Sequence, residues 1–208
     1  MYNLIPHERY SYHLQNMLRD LGPMSFSTKS SIFGHISFNI SQQTILYFIM
    51  DYAAFLAHND KWKKSGNVNE TIHLGLNVVN NFSAFWDHIG YEMNLIFELG
   101  KKPENTCYRD IIGKMCNTKN KRLKKQCVKL QQIYDNQKDI RDYYRNPYTH
   151  RIHECFFKRN ESDTPKSKLI RLSESLDKCY KELIKAFRIY YEIIDKYSPK
   201  KDFGSYPK

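Results

Sequence analysis

With 208 residues, 41% of them hydrophobic, the chain can bury one well-packed core, and its length fits one domain or one domain with an insertion. The net charge of +11 and pI near 9.3 favour a polyanionic partner, although richness in Lys, Asn, Ile and Tyr is also what an AT-rich genome writes. Five cysteines (Cys107, Cys116, Cys127, Cys155 and Cys179), with no Cys-x-x-Cys pair, exclude zinc-ribbon spacing and read as reduced thiols of a cytoplasmic protein.

In chain order, Met1 to Tyr12 carries His7, Glu8 and Arg9 where an export signal needs an apolar run, so no signal peptide is expected. Residues 1–40 are read as an N-terminal helix and an irregular arm packed on the bundle. Ile36, Phe38 and Ile40 alternate as in a strand, but no other strand is available to pair with them. Residues 41–62 place Ile45, Phe48, Ile49, Tyr52, Ala53 and Leu56 at helical steps behind Ser41 as N-cap, with Gly66 beyond the end. The apolar stretch from Ile45 to Ala57 is too short to span a membrane and contains Asp51.

The longest core helix is predicted over 68–99, on Ile72, Leu76, Val79, Phe82, Trp86, Ile89, Met93 and Ile96. Asn67 and Glu70 open it at capping-box spacing and Gly100 closes it. A short helix is expected over 106–115, a polar loop over 117–121, and a third long helix over 122–144 with Leu123, Cys127, Leu130, Ile133 and Tyr134 inward. After a second polar stretch, 159–168, a helix over 169–197 carries Leu172, Leu176, Tyr180, Leu183, Phe187, Tyr190 and Ile194, and 199–208 is a flexible tail. The result is an all-α, antiparallel helical bundle of four to five main helices spanning 41–198.

Between the last two long helices lies Arg145-Asn146-Pro147-Tyr148-Thr149-His150. Given ten Arg, sixteen Asn and eight His, Arg-x4-His arises by chance about 0.4 times but Arg-Asn-x3-His only about 0.03 times, so the amide carries the information. On an unbroken helix residues five apart point about 140° from each other, but Pro147 breaks the helix and makes Asn146 an N-cap. Arg145 and His150 can then face one pocket at a helix N-terminus, where free N–H groups and the dipole favour phosphate. RNA supplies its own 2′-hydroxyl nucleophile. His150 can move the proton, Arg145 can bind two nonbridging oxygens through its fork, and Asn146 can position them. One His per chain is too few for both proton transfers, which calls for a homodimer.

These residues resemble the HEPN superfamily, whose signature is an arginine, commonly a polar residue, then a histidine after four to six positions. The resemblance covers the hexad and the helix order from Ser41 to Tyr197. It implies a dimerising helical bundle, a composite site at the dimer cleft and metal-independent ribonuclease activity without a cofactor. It also implies a role as toxin or phage-defence effector, with an antitoxin protein as partner. The branch that carries a tyrosine two residues after the histidine is not matched, because that position is Ile152.

Lys101 to Leu130 holds ten basic residues (Lys101, Lys102, Arg109, Lys114, Lys119, Lys121, Arg122, Lys124, Lys125 and Lys129) against Glu104 and Asp110. Lys121, Arg122, Lys124, Lys125 and Arg151 are the expected RNA-backbone contacts. The same basic run also fits a solvated helix face, and the hexad also fits a plain helix boundary. On that alternative the protein is an inactive bundle that binds RNA, a nucleotide or a partner protein. His150, His153 and Glu154, or His88 with Glu92, have metal-ligand spacing on a helix, but no metal is assigned. Asp139, Asp142, Glu92 and Asp87 are candidates for orienting Arg145, and the sequence does not choose among them.

Overall fold

The computed structural model describes residues 7–21, 36–65, 68–102, 106–141 and 164–198. Among these residues it is an all-α bundle: six helices of nine residues or more and no strand. They are α1 (His7–Leu21), α2 (Ile36–Ser65), α3 (Val68–Ile96), α4 (Tyr108–Cys116), α5 (Lys121–Asn136) and α6 (Pro165–Tyr197), with a helical turn at Lys138–Ile140. No described helix is long and apolar enough to cross a membrane.

The long α3 is the central element because its apolar residues recur at steps of three and four along its whole length and three other helices pack on it. Val78, Val79, Phe82, Phe85, Trp86, Ile89 and Met93 are all buried. It packs on α2, α4 and α6. Pairs along α2 and α3 run in opposite directions, Thr44 meeting His88 and Asn81 meeting Asp51. α3 and α6 run the same way: Gly75 lies against Leu172, and Glu92 meets Tyr190. α5 and the turn after it run antiparallel to α6, Gln126 donating to Glu192 and Arg141 lying close enough to act on Cys179.

Several boundaries differ from the sequence reading. α2 starts at Ile36, so the alternation of Ile36, Phe38 and Ile40 is helical backbone and Ser41 lies inside the helix instead of capping it. α3 ends at Ile96 in a Schellman arrangement, with Leu99 N–H bonding Asn94 O at 3.0 Å and Glu98 N–H bonding Leu95 O at 3.3 Å. The left-handed residue of the cap itself is Glu98, at φ 51°, and Gly100, at 71°, is a second left-handed residue two positions beyond it. The Asn94 side chain then holds the departing chain at both backbone groups of Lys101, which lets a non-glycine residue take that conformation.

α5 stops at Asn136 instead of running to 144, because Gln137 turns away at φ −99° and ψ 11°. α6 starts at Pro165, four residues before the expected start, with Thr164 as N-cap accepting from Ser167 N–H. The capping pair Asn67 and Glu70, the arm over 22–35 and the tail 199–208 fall wholly or partly outside the described residues, as do Cys155 and the helix expected after the hexad.

Candidate functional site

Arg145, Asn146, His150 and Arg151 lie outside the described residues, as do Asp142, His153 and Glu154. The described structure supplies the stretch that leads to them: α5, the Lys138–Ile140 turn, and Arg141. Asn120 caps α5, its Oδ1 accepting from the N–H groups of Arg122 and Leu123 at 3.1 Å each. Leu123, Cys127 and Leu130 then face the core. Lys121, Arg122, Lys124 and Lys125 are therefore turned outward, and all four are exposed, as is Lys129.

The ten-cation run is divided by the fold. Lys101 pairs with Asp110, and Lys114 donates to the Leu99 carbonyl, so these two tie the α3–α4 connection together. None of the five α5 cations takes part in an ion pair among the described residues.

At its C-terminal end, α5 is anchored by a polar–aromatic cluster. Trp86 Nε1 donates to Gln137 Oε1 at 2.9 Å, and Gln137 is buried. The Trp86, Tyr108 and Tyr134 rings pack with centroids 4.6 to 5.3 Å apart. Arg141, also buried, places its guanidinium carbon 3.6 Å from the Tyr134 ring centroid, and its Nη1 donates to the Tyr134 carbonyl. A partly desolvated cation–π contact of this kind contributes about 1–2 kcal/mol. The segment entering the hexad is thus fixed to the core up to Arg141.

Glu92 and Asp87 separate clearly. Glu92 is fully buried and accepts from Tyr190 Oη, whereas Asp87 is exposed. His88, half-buried, pairs through Nδ1 with Thr44 Oγ1 at 2.6 Å, so His88 and Glu92, one turn apart, engage different helices. Burial holds His88 below its ordinary pKa, against an opposing effect of Asp87. Among the described residues no three His, Cys, Asp or Glu side chains gather to hold a metal ion. Cys107, Cys116, Cys127 and Cys179 are free thiols. Burial raises Cys116 and Cys179 and pushes Cys127 up to about 12, which leaves these three as packing groups rather than nucleophiles.

Gln137, Arg141 and the Glu92–Tyr190 pair are core anchors that the sequence reading did not single out as such. Helical period held the signal for Glu92, which follows Ile89 by three residues and precedes Ile96 by four. No family model, no curated protein and no solved structure matches the chain.

Proposed function

We propose that the chain is a metal-independent endoribonuclease of HEPN type that acts as a homodimer. The observation that carries this reading is Arg145-Asn146-x3-His150, four residues beyond the buried Arg141 in an all-α bundle. The 2′-hydroxyl attacks the adjacent phosphorus, one His150 removes its proton, and the second copy's His150 protonates the departing 5′-oxygen. Arg145 stabilises the charge on the phosphorane, and Asn146 positions it. Lys121, Arg122, Lys124, Lys125 and Arg151 hold the backbone without reading bases. The exposed basic face of α5 supports the reading because it lies on the same stretch of chain as the hexad.

The test is RNA cleavage by full-length protein in EDTA, with end-group analysis. Products ending in 2′,3′-cyclic phosphate, abolished by His150→Ala, are expected. Undiminished cleavage by His150→Ala overturns the proposal. Salt-sensitive RNA binding with no cleavage by the wild type identifies the inactive RNA-binding bundle instead.

A further inference from the structure

We infer that the exposed face of α5 is a track for one extended polynucleotide strand, with Lys121, Lys125 and Lys129 contacting successive phosphates and Arg122 and Lys124 flanking them. This rests on the ribonuclease reading for its choice of polyanion, and adds the path, strandedness and sugar-blindness of binding. The three lysines stand four residues apart on one side of a 16-residue helix. Such a row rises about 6 Å per step, comparable with the separation of neighbouring phosphates along an extended strand. Each step also turns about 40° around the helix axis, so the row is a short curved line that a flexible single strand can follow phosphate by phosphate, whereas a duplex strand is held to the curve of its own helix.

The arrangement works against the helix that bears it. Lys121, Arg122 and Lys124 crowd the positive end of the dipole, with no acidic residue in the first turn. Lys121 with Lys125, and Lys125 with Lys129, are like charges at the spacing where they repel. On α6, by contrast, two exposed lysines are paired one turn away, Lys181 with Asp177 and Lys196 with Glu192. On α5 the one acid is Asp135, at the far end and held by Gln131. A bound line of phosphates relieves this repulsion and releases counterions.

The chemistry of the face selects among polyanions. A helix lying on a membrane turns a broad apolar side to lipid, but the apolar side of α5 is in the core, and Val128 is the one large hydrophobic residue exposed on the helix. Protein partners are anchored by aromatic residues, and none is exposed on this face. Lysines without a stacking platform grip phosphate and read neither base nor 2′-hydroxyl.

The experiment measures binding of full-length protein to labelled oligothymidylate, which has no 2′-hydroxyl and survives the proposed chemistry, across a salt series. Oligouridylate with the His150→Ala protein, and an RNA duplex of the same length, are the comparisons. Single-stranded DNA and RNA should bind within a few-fold of each other, and both more tightly than duplex. The triple variant Lys121→Gln, Lys125→Gln, Lys129→Gln should weaken binding at least tenfold and flatten the slope of log affinity against log salt by about 2, three contacts at the single-strand value. Its melting temperature should equal or exceed that of the wild type.

Removing the same charge from α6 with Lys166→Gln, Lys178→Gln and Lys185→Gln should change affinity far less. Equal losses from the two triples, preference for duplex, or binding to phosphatidylserine vesicles in place of polynucleotide would overturn the track. Wild type that binds through α5 but never cleaves RNA defeats the nuclease reading and leaves the track standing. Cleavage and binding indifferent to the α5 triple do the reverse.

Discussion

Tyr190 on α6 donates its hydroxyl proton to Glu92 on α3 across 2.5 Å, and both side chains are fully buried. A carboxyl group removed from water is tolerated when it is hydrogen-bonded, so this bond couples two parallel helices that are far apart in sequence. Tyr190→Phe keeps the ring and removes the donor. It is expected to lower unfolding free energy by about 2 kcal/mol in urea titrations. Because the two residues share one bond, Tyr190→Phe combined with Glu92→Gln should cost less than the two single losses together. Wild-type stability of Tyr190→Phe would remove the bond from the account of the fold.

Two glycines on α3 should respond differently to the same substitution. A Cβ on Gly90 would lie 2.8 Å from Tyr108 Cα and 3.0 Å from Tyr108 N, so α4 itself would have to move. A Cβ on Gly75 would meet the Leu172 Cδ2 methyl at 2.6 Å, the end of a side chain that can rotate away, with Phe55 Cε2 next at 3.1 Å. Overpacking costs about 1–3 kcal/mol, while replacing a helical glycine with alanine returns up to about 1 kcal/mol. Gly90→Ala should therefore lower the urea midpoint clearly and Gly75→Ala only slightly. The opposite order would mean that α4 is not fixed at Tyr108.

What was legible in the sequence follows what local patterns encode. Period alone located the buried faces of α2, α3, α5 and α6, because apolar residues at steps of three and four have no other common use. The starts of α2 and α6 were displaced: Ile36, Phe38 and Ile40 are too short a run to separate alternation from helix, and Thr164-Pro165 looked like more of the polar loop before it. The cap at Glu98 was hidden because left-handed backbone is expected at glycine, and the bond that supports it comes from the Asn94 side chain. Gln137 and Arg141 could not be read as anchors, since their partners Trp86 and Tyr134 become neighbours only through packing. The hexad was visible as chemistry, and its geometry belongs to residues beyond those described.

His88 predicts a pH dependence. Burial lowers its pKa in the folded protein, so the fold favours the neutral ring that pairs with Thr44. Above the unfolded value, about 6.5, neither state is protonated and stability is complete. As pH falls through that value toward the lower folded one, the unfolded chain takes up a proton that the folded chain does not, and stability is lost. Melting temperatures of the wild type and His88→Gln, compared between pH 8 and pH 5, should show a steeper acid decline in the wild type. Parallel curves would show that His88 titrates alike in both states.

The requirement for two imidazoles gives the most discriminating prediction of the proposed mechanism. If one His150 is the base and its symmetry mate the acid, a dimer of one wild-type and one His150→Ala chain lacks one of the two and is as inactive as the doubly substituted dimer. Equal amounts of the two chains, exchanged at random, leave about one quarter of dimers fully wild type by the statistics of a two-fold assembly. Cleavage should fall to about that level relative to the same total concentration of wild-type chain. A site complete within one chain would retain about one half, because every wild-type chain would still work. The same mixture made with the α5 triple variant carrying an intact His150 separates the effects: it weakens binding, which higher RNA concentration restores, whereas a missing proton donor is not restored by substrate. Activity proportional to the wild-type fraction at saturating RNA would rule out the shared site.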